Sequence, residues 1–332
     1  MSTTTAPGAR ASTPLRVRIR SRLLSIDVRD TTFEERGFEP GSPASQAALE
    51  GHAAHFVLGF NEAVGAVDVA DLDRPLAAVP PEQRGFAYEG AGMALAVLDL
   101  LTPGSRDRLA RLLQGHGKPH LYEIYGGAGW ALARLRLRPR DRFPALQPFL
   151  RSCAIDGYGF HEGAFRTKAF VTRQSRPRRL RGYQLRAFDQ GLGRALWFVN
   201  CADPDRIARM IDGFDEDRRA DLWSGIGLAA TYSIAAQPGV LERLVELSGR
   251  FQPEVAQGSA FAATMRHTGG IVVEHTRTAA QELCGRSVEE AAELVNGARA
   301  GLEPDPIGES YGQWRVRVQQ ALGSQARSES LA

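Results

Sequence analysis

The chain has 332 residues, of which 43% are hydrophobic and 24% are charged, and its formal net charge is +3. These values are typical of a globular protein and do not indicate a nucleic-acid partner. No run of about 18 apolar residues occurs, so the sequence predicts no membrane span and no membrane partner. The N-terminal residues lack the apolar core of a signal peptide, so we expect a cytoplasmic protein.

The cysteine positions and the absence of known motifs bear on the predicted compartment and on metal or cofactor sites. Cys153, Cys201 and Cys284 lie far apart and form no CxxC pair, which predicts small core residues in a reducing compartment. The sequence HEGAF at 161–165 lacks the second histidine of HExxH, and no other histidine group has a carboxylate at ligand spacing. No nucleotide-binding glycine loop, Walker motif or GxSxG motif is present. We therefore expect neither a metal nor a cofactor.

A polar segment over 1–14, which we expect to be disordered, precedes a repeated glycine pattern. Seven stretches that read as helices carry glycine at their third position, and six of them carry alanine four residues later. Successive glycines are separated by 28 to 37 residues, a period typical of helical-hairpin repeats of about 33 residues. The repeat glycines are Gly59, Gly90, Gly127, Gly163, Gly191, Gly225 and Gly258.

Glycine inside a helix costs about 0.5–1 kcal/mol relative to alanine, so its repetition indicates close contact between helices. Gly at i and Ala at i+4 share one helix face. Further helices are predicted between these stretches, at 102–115, 203–214, 238–249 and 286–297. GIVVEH is the one run that resembles a strand. The sequence thus predicts a mainly α fold, built as an array of helical hairpins.

The glycine rows also pair at offsets of 95 to 101 residues, which predicts two tandem halves of three units each. The predicted organisation is a first half over 15–172, a basic junction loop over 173–186, a second half over 187–322 and a disordered tail over 323–332.

The residues just before each repeat glycine are mostly polar, and those two positions before are mostly aromatic or ionisable. Equivalent positions of a stacked array line one surface, so we expect a groove for a long, partly unsaturated ligand. Helix capping by Glu89 and Glu162 is the structural alternative. The predicted catalytic residues are Glu89, Asp156, His161, Glu162 and Asp189. The predicted substrate-binding residues are Tyr88, Tyr125, Trp130, Tyr158, Gln190, Arg194, Trp197, Trp223 and Gln257.

The junction over 165–188 carries eight basic residues and no acidic residue. Such a cluster predicts an exposed site for an anionic partner. The candidates are an acidic protein or phosphopantetheine-bearing carrier domain, a phosphorylated ligand, and nonspecific nucleic acid. A solvated basic loop is the alternative. The predicted partner-binding residues are Arg176, Arg178, Arg179 and Arg181.

Five motifs together resemble the UnbL-type family of actinobacterial proteins, a family of unknown function. They are RGFAYEGAGMALAVLD, YGGAGWALARL, DGYGFHEGAF, FDQGLGRALWF and DLWSGIGLAATYS, and the resemblance covers about residues 17–320. The resemblance implies a protein encoded beside the polyketide synthases of enediyne antibiotics, with that synthase, its carrier domain and a polyene intermediate as partners. It implies no reaction and no catalytic residue.

Two functions remain open from the sequence. The first is a cofactor-independent enzyme, or enzyme subunit, that acts on the polyene intermediate with acid–base groups. The second is a noncatalytic helical-repeat scaffold that binds the intermediate or docks pathway proteins.

Overall fold

The structure is a computed structural model of the chain, and it describes residues 14–102, 107–137, 145–233, 235, 237–305 and 308–329. Within these ranges the chain forms α-helices and short 3-10 or π turns, without a β-strand, so the predicted all-α class is confirmed. GIVVEH is extended over 271–273 and then enters a helix at Glu274. Of the predicted leader, residues 1–13 lie outside the described ranges.

The described residues contain sixteen α-helices, and four of them cover the described parts of the helices predicted between the glycine stretches. In chain order they are α1 (Leu15–Leu24), α2 (Phe33–Arg36), α3 (Pro43–Gly65), α4 (Asp73–Ala77), α5 (Pro81–Leu101), α6 (Arg108–Gln114), α7 (Leu121–Arg134), α8 (Arg151–Phe165), α9 (Tyr183–Val199), α10 (Pro204–Asp212), α11 (Glu216–Tyr232), α12 (Val240–Ser248), α13 (Gln252–Thr268), α14 (Glu274–Cys284), α15 (Val288–Ala298) and α16 (Glu309–Glu329).

Local sequence sets several helix boundaries. Ser42 precedes α3 and accepts a 3.0 Å hydrogen bond from the Ser45 N–H, which satisfies one of the unpaired donors of the first turn. Ser287 and Glu290 cap each other's backbone at the start of α15. Gly285 ends α14 with a φ of 65°, a conformation that glycine adopts without strain.

The seven helices that carry the repeat glycines pack in chain order, each against the next. These helices are α3, α5, α7, α8, α9, α11 and α13. At six of the seven glycines, a Cβ atom would lie 1.8 to 2.1 Å from a backbone carbonyl oxygen of a neighbouring helix. No side chain fits at that distance. Gly163 differs, because it faces the side chains of Leu192 and Ala195.

Three of these contacts follow one geometric rule. Gly127 meets the carbonyl of Glu89, Gly225 that of Gln190, and Gly258 that of Ser224. In each pair the carbonyl belongs to the residue just before the preceding repeat glycine. Helix packing therefore fixes the backbone of that residue and leaves its side chain available for another role. The hairpin period and the tandem duplication stay predictions.

The helix array curves, so that helices distant in sequence meet. Tyr232 of α11 donates a 2.5 Å hydrogen bond to Glu123 of α7. Arg266 of α13 donates a 3.0 Å hydrogen bond to the Glu82 carbonyl in the first turn of α5. This curvature brings the inner faces of the glycine helices around a common interior, where the candidate site lies.

The two predicted halves share one core. Buried apolar residues from Phe33 to Leu322 form a single connected cluster, and α8 and α9 pack across the junction through Gly159 and Gly191. The predicted junction loop is irregular up to the start of α9 at Tyr183. The predicted tail differs from the structure, because α16 continues without a break through 323–329, while 330–332 lie outside the described ranges.

Candidate functional site

A cavity of about 410 Å³, the main cavity, lies among α3, α5, α7, α8, α9 and α11. The segment 23–38, which includes the end of α1 and all of α2, lines its remaining side. Its volume falls within the range of about 300–1,000 Å³ that small-molecule sites occupy. Eight Phe, Trp and Tyr residues line the cavity, beside charged residues such as Glu35, Arg36 and Arg134: Phe38, Phe56, Phe86, Trp130, Phe160, Phe165, Phe198 and Tyr232. Such a lining favours a largely apolar ligand.

The glycine contacts explain how polar side chains reach this apolar space. Glu89 precedes Gly90, Trp130 follows Gly129, and His161 lies two residues before Gly163. Each of the three side chains lines the main cavity and sits within one helical turn of a glycine that meets a neighbouring backbone, which for His161 is Gly159. The close helix contacts therefore hold these side chains on rigid backbone.

His161 is buried at 5% exposure, and its ring lies between aromatic groups. It stacks on Phe165 at a centroid distance of 4.5 Å and meets the Trp130 ring edge to face at 5.6 Å. Neither ring nitrogen has a hydrogen-bond partner among the described residues. Burial lowers the pKa of His161, although Glu162, whose Oε1 lies 3.5 Å from Nδ1, opposes this shift. The ring is therefore neutral at pH 7 and offers one nitrogen as a base.

Glu89 provides a second proton-transfer group in the same cavity. Its Oε1 atom lies 3.7 Å from Nη2 of Arg194 but accepts no hydrogen bond from the described residues. The Trp130 indole N–H lies close to Glu89, although the two groups do not reach hydrogen-bond geometry. Burial raises the pKa of Glu89 to about 7, and the charge of Arg194 and, to a smaller extent, the Trp130 N–H oppose this shift. Both the acid and the carboxylate form are therefore populated near neutral pH.

Arg194 lies between this site and a second, smaller cavity. Its guanidinium group forms an ion pair with Asp156 of α8. Burial raises the pKa of Asp156, whereas Arg194 opposes the rise. Glu89, Arg194, Leu228 and Tyr232 line both the main cavity and the small cavity, whose volume is about 40 Å³. These four side chains form the wall between the two spaces.

The structure brings six of the predicted site residues to the two cavities. Glu89, Trp130, His161 and Arg194 line the main cavity, and Asp156, Gln190, Glu89 and Arg194 line the small one. Eight others line neither: Tyr88, Tyr125, Tyr158, Glu162, Asp189, Trp197, Trp223 and Gln257. The predicted continuous groove is therefore divided, because the array curves and equivalent positions turn toward different neighbours.

Most of the side chains outside the cavities have partners in the core. Hydrogen bonds join Tyr88 to His116, Tyr125 to Gln147, Asp189 to Arg218, Trp197 to Ser233, and Gln257 to both Ser224 and Arg315. Burial raises the pKa of Asp189 to about 6, and its bond to Arg218 opposes this shift. These contacts give the residues structural roles within the helix array.

Of the sequence pair His161 and Glu162, only the histidine faces the main cavity. Glu162 is 2% exposed, and its Oε2 atom accepts a 2.6 Å hydrogen bond from Arg166 one turn later in the chain. Successive residues of a helix point about 100° apart, which separates the two side chains. Glu162 therefore acts on His161 through its charge and not on a ligand.

Among the lining residues of the main cavity that the sequence analysis missed, His52 and Tyr232 carry polar groups. His52 of α3 stacks on Phe86 at 4.3 Å and bonds to Gln83 at 2.7 Å, and burial lowers its pKa to about 4. Tyr232 is fully enclosed, which raises its pKa well above 10. His52 lies seven residues before Gly59, and Tyr232 lies seven residues after Gly225. This two-turn spacing from the repeat glycine was the available signal, since it places them on the glycine face.

The predicted partner site is partly occupied by contacts within the chain. Arg176 pairs with Asp217 at 2.7 Å, and Arg179 donates to the backbone carbonyl of Arg136. The side chains of Arg178 and Arg181 are exposed. Two of the four predicted arginines thus remain directed at solvent.

Two searches of the described residues concern metals and membranes. No three His, Cys, Asp or Glu side chains gather there at the spacing of metal ligands. None of the described helices combines the length and the apolarity needed to cross a bilayer.

The fold and the site define an all-α protein in which helices packed at glycine contacts enclose a cavity lined by aromatic residues and buried acid–base groups. Comparison with known families places it more closely. The family model described as "Protein of unknown function (DUF1702)" matches residues 15–322, and the chain belongs to that family. Comparisons with curated proteins and with solved structures gave no match.

Proposed function

We propose that this protein binds an elongated, largely apolar small molecule in the main cavity and moves protons on it with Glu89 and His161. One observation supports this most directly. Glu89 Oε1, Trp130 Nε1 and both ring nitrogens of His161 are buried at the main cavity without a hydrogen-bond partner among the described residues. Leaving such groups unpaired costs about 1–3 kcal/mol each, which favours a ligand that pairs with them.

The two groups suit cofactor-independent proton transfer. A neutral His161 can remove a proton from one position of a conjugated ligand, and protonated Glu89 can deliver one at another. The double bonds then shift, with no net oxidation or reduction. Arg194, held by Asp156, places a fixed positive charge beside Glu89 and would stabilise negative charge that develops on the ligand.

The ligand class follows from the cavity lining together with the family resemblance. The aromatic rings of the lining can stack on a flat, conjugated chain, which gives such a ligand an advantage over a saturated one. We therefore propose the polyene intermediate of an enediyne polyketide pathway as the ligand, and the synthase or its carrier domain as its source.

A second candidate function is binding and shielding of a reactive polyene without chemistry. The cavity mouth favours it, because the Arg36 guanidinium lies 4.0 Å from the centroid of the Phe165 ring and both residues line the cavity. This cation–π contact joins the 23–38 segment to α8 and closes the ligand space from one side.

Binding can be tested with a conjugated tetraene fatty acid, parinaric acid, whose fluorescence rises on burial. The wild-type chain should bind it, and Phe160→Asp, which puts a charge into the lining, should abolish the signal. A matched exposed change, Leu58→Asp on α3, should leave it intact. No saturable binding by the wild-type chain would refute a cavity for polyenes.

The two proposed functions can be distinguished by expressing variants in a producing strain from which the gene is deleted. Mass spectrometry should show the same accumulated polyene with His161→Gln or Glu89→Gln as with the deletion, provided that both variants still bind parinaric acid. Full product formation by both variants would contradict the catalytic function and favour the shielding function.

A further inference from the structure

The small cavity behind Glu89 is lined by several hydrogen-bond acceptors that have no partner among the described residues. Four side-chain oxygens at its wall are buried and have no partner among the described residues: Glu89 Oε1, Glu123 Oε2, Asp156 Oδ2 and Gln190 Oε1. All four side chains are at least nine-tenths buried, at 2% to 6% exposure. Buried acceptors that remain unpaired are costly in a dry interior.

The other oxygen of two of these carboxylates is already used. Glu123 Oε1 accepts the 2.5 Å hydrogen bond from the Tyr232 hydroxyl, and Asp156 Oδ1 accepts from Arg194. Helix packing on the Gly126 side holds the Glu89 carboxylate in place, since a Cβ at Gly126 would lie 2.8 Å from its Oε1. The free oxygens therefore cannot turn to the existing donors without breaking those bonds.

The volume of the small cavity, about 40 Å³, suits water and little else. A water molecule needs about 10–15 Å³ of such space and two to four polar partners. One or two waters would supply up to four hydrogens, which matches the four acceptors. No cluster suited to a metal ion occurs among the described residues.

The far wall of the small cavity leads toward the surface. Glu123 Oε1 lies 3.9 Å from Nδ1 of His120, a nitrogen without a hydrogen-bond partner in the described chain. His120 ends a short 3-10 turn whose other residues, Lys118 and Pro119, are exposed. Glu123 thus stands between the small cavity and a histidine one residue from solvent.

We infer that the small cavity is a water site, and that its water links Glu89 to Glu123 and His120. Glu89 faces the ligand on one side and this water on the other, so it can regain its proton without opening the main cavity. The water site rests on the geometry alone, whereas the relay role of Glu123 and His120 rests on the proposed function.

The water site is tested by a crystal structure of the unliganded chain at a resolution that shows ordered water. We expect one or two waters, each within hydrogen-bond distance of at least two of Glu123 Oε2, Asp156 Oδ2 and Gln190 Oε1. A dry cavity, or direct hydrogen bonds among these oxygens, overturns the inference whether or not the protein binds polyenes.

Coupling to Glu89 is tested by carbon NMR titration of its carboxylate. Gln190→Leu keeps the side-chain size and removes an acceptor, so the water should be lost and the Glu89 titration should move to higher pH. Thr264→Val is the control, because its hydroxyl already donates to the Ala260 carbonyl at 2.8 Å. An unchanged Glu89 titration in a folded Gln190→Leu variant contradicts the link.

The relay is tested by Glu123→Gln, which can still accept the hydrogen bond of Tyr232. This variant should bind parinaric acid as the wild type does but slow product formation at least tenfold in the deletion strain. Normal product formation by this variant would refute the relay role of Glu123 but would not contradict the acid–base role of Glu89 and His161. If the wild-type chain does not bind parinaric acid, that result counts against the proposed function and leaves the water site untouched.

Discussion

The hydroxyl group of Tyr232 donates a 2.5 Å hydrogen bond to Glu123, which lies 109 residues earlier in the chain. The bond ties α11 to α7 across the interior and keeps one wall of both cavities in place. His120 also lies 3.9 Å from the same Glu123 oxygen. Burial raises the pKa of Glu123, but the His120 and Tyr232 contacts outweigh it, and the net pKa is lowered.

Tyr232→Phe should destabilise the protein, because it leaves the Glu123 oxygen buried without its donor. We expect a loss of about 1–3 kcal/mol in the free energy of unfolding. Urea unfolding near neutral pH measures it. Tyr122→Phe on the same helix as Glu123 is the control, since Tyr122 is only half-buried. If both changes lower the free energy of unfolding equally, the hydrogen bond from Tyr232 to Glu123 does not account for the effect.

Close helix contact at the repeat glycines predicts that even one methyl group is harmful there. Gly127→Ala would place Cβ 2.1 Å from the Glu89 carbonyl oxygen, so the helices must separate. We expect a loss of at least about 2 kcal/mol in the free energy of unfolding. Gly51→Ala, in the same kind of helix but facing open space, should instead gain about 0.5–1 kcal/mol. Similar stability of the two variants in chemical denaturation would refute the packing role.

Glu89 should make stability depend on pH in a defined direction. Because its folded pKa is about 7 and its ordinary value is 4.5, the native state binds the proton more tightly than the unfolded state. This contribution is present below about pH 4.5 and is lost as pH rises to about 7, by about 3 kcal/mol at most. Glu89→Gln has no titrating carboxyl group at this position and does not lose this stability. The free energy of unfolding of the variant relative to wild type should therefore increase from about pH 4.5 to about pH 7.

Unfolding of the Glu89→Gln variant and of the wild type at about pH 5 and about pH 8 measures this difference. Glu62→Gln, at an exposed position of α3, should show the same difference from wild type at both pH values. A Glu89→Gln curve parallel to the wild type would show that the carboxyl group is not perturbed.

His161 and Glu162 should separate by function although they are neighbours in sequence. His161→Gln removes the cavity base and should abolish product in the deletion strain. Glu162→Gln should retain product, because Glu162 bonds to Arg166 and does not line the cavity. Melting temperatures provide the control for folding. Equal loss of product from both changes would show that Glu162 also takes part in the reaction.

The basic junction predicts a salt-dependent contact with an acidic partner. Changing Arg178 and Arg181 together to Gln should weaken binding of the synthase carrier domain and flatten its dependence on ionic strength. Arg176→Gln should have less effect, because that arginine is already paired with Asp217. Calorimetric titration at low and high salt measures both. A carrier domain that binds the double variant like the wild type would leave the junction as solvated surface.

The repeat glycines show how far sequence reasoning could go. Their pattern predicted the helices and the close contacts, because glycine on a helix face has a local meaning; Gly163, which faces side chains, is the exception. Gly127, Gly225 and Gly258 meet carbonyls at equivalent places in the preceding unit. The main part of the fold could therefore be predicted without coordinates.

The site could be predicted only in part, since each position of the repeat turns toward a different neighbour as the array curves. Glu89 and Gln190 occupy the same repeat position, yet Glu89 lines both cavities and Gln190 only the small one. Sequence by itself determined the helices and the contact points between adjacent ones. The tertiary structure alone decided which side chains converge, because curvature and long-range bonds such as Tyr232–Glu123 depend on all the helices together.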